Sequence, residues 1–115
     1  MIYLASPYSD PSIAVKEHRF IETCRVAGEM IKKGLVVYSP IVHNHLIARY
    51  AGLGGSWKTW ERHDLSMIKL CDSFWILTLE GWQQSRGVKE ETDTWKVINP
   101  RKPVEYLNPI TLELT

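Results

Sequence analysis

The chain has only two cysteines, Cys24 and Cys71, and they form no CxxC pair, which excludes a disulfide scaffold and a thioredoxin-type redox motif. No apolar run approaches the roughly 18 residues of a membrane span. The opening Met1-Ile2-Tyr3 has neither the charged n-region nor the long apolar h-region of a secretory signal. The expected setting is therefore a reducing cytoplasm, with no membrane partner. Excess charge of one sign is missing too: 14 Lys and Arg stand against 13 Asp and Glu, a net +1. The cations are scattered among the acids, so there is no basic stripe to neutralise a phosphate backbone, and polymeric nucleic acid is not an expected partner. The cluster Gly52-Leu53-Gly54-Gly55-Ser56 lacks the Gly-Lys-Ser/Thr ending of a phosphate loop and reads as a connector or a mobile lid. His43-Asn44-His45 has no third ligand at metal spacing, so no metal and no cofactor are expected, although one of these histidines, His43 first, could line a crevice. Internal repeats and low-complexity segments are absent.

What is present is a globular composition, 44% hydrophobic and 23% charged, which argues for a packed core and against disorder. At 115 residues the expectation is a single domain over 1–115. Short apolar runs at Ile2–Ala5, Leu35–Tyr38, Phe74–Thr78 and Val104–Leu107 read as strands. Between them, helical patterns cover about Ser12–Lys33, Asn44–Ala51, Trp57–Cys71 and Gly87–Asn99, the last ended by Pro100 and Pro103. In the first helix Phe20, Cys24, Ala27 and Ile31 supply an apolar stripe. Strands alternating with helices predict a single-domain flavodoxin/Rossmann-like three-layer sandwich, with a parallel sheet of four or five strands. Ligands in such sheets sit beyond the strands' carboxyl ends, which here means the loops after Ala5, Tyr38 and Thr78. Five tryptophans, with apolar residues near Trp57 and Trp82, exceed what so small a core easily hides and predict a homo-oligomer.

Two acids fall on apolar helix faces. At about 100° per residue, Trp57, Trp60, Ile68 and Cys71 lie within about 40° of Asp64. Val88, Trp95 and Ile98 lie within about 60° of Glu91, while Glu90 points about 100° away. A carboxylate in such a place must be paired, hydrogen-bonded or protonated, and acids of that kind concentrate in active sites. The plainer readings are a helix-start carboxylate for Glu91 and a structural acid bonded to a Trp indole or backbone N–H for Asp64. Asp72 reads as a connector or cap. Arg19, with Ser6, Ser9 and Ser12 at the start of the first helix, suits a phosphate, or equally a cap beside a solvated arginine.

These residues resemble the nucleoside 2-deoxyribosyltransferase-like superfamily, most closely a bacterial and phage branch of it. Tyr3-Leu4-Ala5-Ser6-Pro7 is similar to the first strand and loop of that family, with Ser6 replacing the usual glycine. Asp64 and Asp72 resemble its spaced aspartates. Gly81-Trp82, Ser85, Gly87 and Glu91 are similar to the signature of the branch. The resemblance implies Glu91 as nucleophile, Asp64 as the acid that protonates a leaving base and Tyr3 as the residue orienting the glutamate. It places Ser6, Pro7, Ser9, Arg19, His43, Asp72, Gly81, Trp82, Ser85 and Gly87 around a small-molecule nucleoside or nucleotide. Ser85 departs from the family, which commonly carries an acid six residues before the nucleophile to hold the sugar. The expected function is cleavage or transfer at an N-glycosidic bond; a catalytically silent nucleotide-binding module is the alternative.

Overall fold

The computed structural model describes residues 1–115. Its elements are β1 (Ile2–Ala5), α1 (Ile13–Lys32), β2 (Val37–Tyr38), α2 (Pro40–Ala51), α3 (Trp57–Ile68), β3 (Ser73–Leu77), α4 (Arg86–Ile98) and β4 (Val104–Leu107), with one 3-10 turn at Trp82–Gln84. All four strands are parallel, in the order β2-β1-β3-β4. This is the expected flavodoxin-like α/β arrangement. The central strand β1 pairs Tyr3 with Tyr38 on one side and with Phe74 on the other.

Strand alternation divides the core in two. Ile2 and Leu4 point to one face, where they pack with Val26, Ala27 and Met30 of α1. Tyr3 and Ala5 point to the other, with Ile68 of α3 and with Val88 and Trp95 of α4. The second face carries an aromatic column: Tyr3 stacks on Phe74 at 5.5 Å between centroids, and Phe74 on Trp95 at 5.6 Å. No helix is long and apolar enough to cross a membrane.

Three local readings of the sequence need correction. The buried face of α1 is Thr23, Val26, Ala27 and Met30, whereas Ile31 is exposed. Two apolar rows about 100° apart run along this helix, and the sheet takes the one with Val26 and Met30. Helix α2 begins at Pro40, four residues before Asn44, because Ser39 caps it by accepting from Val42 N at 3.2 Å and Pro40 occupies its first turn. The pair that ends β2 thus also starts α2. The tryptophans are not themselves the exposed apolar residues: Trp95 is buried and the other four are half-buried. Exposed apolar residues include Leu46, Ile47 and Tyr50 on α2 and Leu53, four residues before Trp57.

Candidate active site

In the order β2-β1-β3-β4 the chain leaves β1 toward one edge and β3 toward the other. The loops after those two strands therefore part and leave a crevice at their carboxyl ends. A cavity of about 440 Å³ occupies that place. Ser6 and Ser9 from the loop after β1 line it, with Ser85, Gly87 and Glu91 from the start of α4 and Asp64 from α3. Six sequence-selected residues thus share one wall.

Glu91 and Asp64 are 4% and 5% exposed, so both carboxyls are out of bulk water. Tyr3 donates its hydroxyl to Glu91 Oε2. Burial pushes Glu91 well above the ordinary carboxylate range, and the nearby Asp64 charge adds to this, while the Tyr3 hydrogen bond opposes it. Asp64 is likewise raised by burial, against the hydrogen bonds from Asn44 and His63. Asn44 Nδ2 donates to Asp64 Oδ1 at 3.0 Å, and His63 Nδ1 lies 3.4 Å from the same oxygen. The partner of Asp64 is thus a side-chain amide, while the nearby Trp60 indole N–H goes to Gly54 O at 2.9 Å. Two buried acids in one cavity favour a state with a single negative charge between them.

Other sequence-selected residues have supporting places. Pro7 is fully buried behind the cavity loop. Ser85 caps α4, accepting from Val88 N at 3.2 Å, and this fixes the helix turn that presents Glu91. A Cβ added at Gly87 would stand 3.9 Å from Glu91 Oε1, so its absence leaves open space beside the carboxyl. Trp82 packs on Tyr106 at 5.5 Å, away from the cavity lining.

Arg19, His43 and Asp72 do not join the site. The Arg19 guanidinium donates to three backbone carbonyls, those of Tyr8, Ser9 and Glu80, and so ties the loop after β1 to the loop after β3. Both Nη1 donors and one Nη2 donor are thus engaged by the backbone, which makes the guanidinium first of all a loop latch. Gly81 (φ +89°) belongs to this latch, because a Cβ there would meet Arg19 Nη2 at 2.6 Å. His43 is exposed and stacks on His63 at 5.1 Å; the neighbouring His45 lines the cavity in its place. Asp72 precedes β3, at the amino end of the sheet, where it accepts from the Met1 ammonium at 2.6 Å.

Sequence reasoning did not select Tyr8 or Asn44 and named His45 only as the second of two histidines that could line a crevice; all three line the cavity. Asn44 and His45 had a findable signal, since both are polar residues in a helix that turns one side to the protein interior. No group of three or more His, Cys, Asp or Glu side chains is placed to hold a metal.

A family model described as a domain of unknown function, DUF1937, matches residues 1–106. No curated protein matches the chain.

Proposed function

We propose that this chain, which belongs to the DUF1937 family, binds a nucleoside or nucleotide in the cavity and cleaves or transfers at its N-glycosidic bond, with Glu91 as nucleophile. The observation that carries the reading is the pair of buried carboxyls, Glu91 and Asp64, on one cavity wall, with the Tyr3 hydroxyl on Glu91. The sequence similarity to nucleoside 2-deoxyribosyltransferase-like proteins supports it at the same three residues. In the proposed reaction an ionised Glu91 oxygen attacks C1′, the C1′–N bond breaks, and the departing base nitrogen takes the proton held by Asp64. Tyr3 holds the nucleophilic carboxylate in one rotamer. Attack on the glycosyl ester by a second base returns the proton to Asp64 and completes a transfer; attack by water completes a hydrolysis. Burial raises both acids, so the reactive form is the one in which the pair's single negative charge sits on Glu91, held by the Tyr3 hydroxyl, and its proton on Asp64.

A second reading, a silent nucleotide-binding module, is favoured by Ser6 and Ser85, which stand where the resembled nucleoside 2-deoxyribosyltransferase-like superfamily carries a glycine and a sugar-holding acid; the Ser85 hydroxyl is engaged as a helix cap. One panel separates the readings. The protein is incubated with the four 2′-deoxynucleosides and their 5′-monophosphates, with and without a second base, while calorimetry records binding. Free base marks a hydrolase and exchanged nucleoside a transferase. Binding without either product favours the silent module, and no binding at all contradicts both.

A further inference from the structure

A second polar assembly reaches the same cavity, apart from the two acids. The Tyr8 hydroxyl lies 2.6 Å from His45 Nδ1, and both residues line the cavity. His45 is 6% exposed and is held by a stacked Phe20 ring with centroids 3.9 Å apart. On its far side Glu17 Oε1 stands 3.2 Å from Nε2, too bent for a hydrogen bond, since Nε2 has no hydrogen-bond partner. Arg49 pins the same Glu17 oxygen. The chain of contacts runs from Arg49 of α2 through Glu17 of α1 and back through His45 of α2 to the loop after β1.

The chain fixes the direction of the hydrogen bond at its end. A carboxylate facing Nε2 repels a ring lone pair and attracts an N–H, so it selects the tautomer with the proton on Nε2. Burial and the nearby Lys16 ammonium hold His45 below the usual imidazole range, which favours the neutral ring. Nδ1 is then an acceptor and the Tyr8 O–H must donate to it. The phenol is itself held neutral, because burial raises it. With its only proton spent, the Tyr8 oxygen has nothing but lone pairs to offer a ligand.

We propose that Tyr8 is a specificity-determining residue of the cavity, whose oxygen, committed to His45 as donor, selects ligands that present a hydrogen-bond donor and disfavours those that present only an acceptor at that point. This rests on the nucleotide reading and adds to it the demand for a sugar hydroxyl or a base amino group beside Tyr8. An acceptor that a bound ligand shuts off from water and leaves without a donor is costly, so discrimination of about tenfold or more is expected.

The test uses 2′-deoxyadenosine and 2′-deoxycytidine, each compared by calorimetry with analogues that lose one donor: the 5′-monophosphate, the 3′-deoxy compound, and the nucleoside whose amino group is replaced by oxygen. In the wild type at least one loss should cost about tenfold in affinity. Tyr8→Phe should bring that ratio to near one. His45→Phe, which keeps the ring stacked on Phe20 but frees the phenol to donate, should lower the ratio as well. For the monophosphate pair it should invert it. A merely structural role would weaken all ligands together and leave the ratios unchanged. Nitrogen-15 spectra should show His45 Nδ1 unprotonated in the wild type. Ligand binding with ratios that neither substitution changes, or a protonated Nδ1 at neutral pH, overturns this inference alone; absence of binding by every nucleoside and nucleotide overturns it together with the nucleotide reading.

Discussion

Glu91 sets stability against the proposed chemistry, because an acid 4% exposed on an apolar helix face is costly to ionise. Its folded-state value lies well above that of an exposed carboxylate, so the folded protein holds this proton over a pH range in which the unfolded chain has released it. The associated stability is fully present below the unfolded value of about 4.3 and is lost as pH rises through the folded one. Glu91→Gln keeps the size and an acceptor for Tyr3 but has no proton to lose. The variant should melt higher than wild type at pH 8, and the gain should shrink toward pH 4; melting curves at the two pH values check this. The position of Glu91 was legible because a helical wheel registers a charge on an apolar face. Tyr3 was legible only through resemblance, since a tyrosine in a buried strand looks like core until its hydroxyl is seen on a carboxyl 88 residues away. Asp72, chosen by the same resemblance, lies with its side chain 79% exposed against the chain amino group. Asp72→Asn should leave ligand binding at wild-type level, a result that calorimetry can read directly.

At the scale of elements, the site depends on how α4 starts and how two loops are joined. Ser85→Ala removes the acceptor for Val88 N and should cost about 1 kcal/mol in denaturant unfolding, with a further loss of ligand affinity because the turn carrying Glu91 frays. Gly81→Ala should cost more, since the residue must adopt φ +89° and its Cβ would meet Arg19 at 2.6 Å. Arg19→Ala should weaken nucleosides and monophosphates alike, because it breaks the loop latch and removes no ligand contact. Equal losses across both ligand sets support this reading, and a loss confined to monophosphates contradicts it. Element order and type were legible from apolar runs and helix punctuation. The start of α2 was not, because Ser39-Pro40 ends a strand as naturally as it caps a helix. The role of Arg19 was hidden for a related reason: its partners are the carbonyls of Tyr8, Ser9 and Glu80, and carbonyls leave no mark on a sequence pattern.

On the scale of the whole molecule, the parallel order β2-β1-β3-β4 does the work of bringing residues 6, 64 and 91 to one wall. Alternating strands and helices announce the sheet and the end at which its loops gather, but not which helix bridges the crevice. Here α2 does so, sending Asn44 to α3 and His45 to α1. The apolar side chains Leu46, Ile47 and Tyr50 remain on the outer side of that helix. The most direct test of the account is intact-protein mass spectrometry after incubation with 2′-deoxy-2′-fluoro nucleosides, whose fluorine slows the second step more than the first. The account predicts that wild type releases base and gains the mass of one fluorinated sugar, mapped by peptide digestion to Glu91, while Glu91→Gln gains none. Base release without an adduct at Glu91, or undiminished in Glu91→Gln, would contradict it.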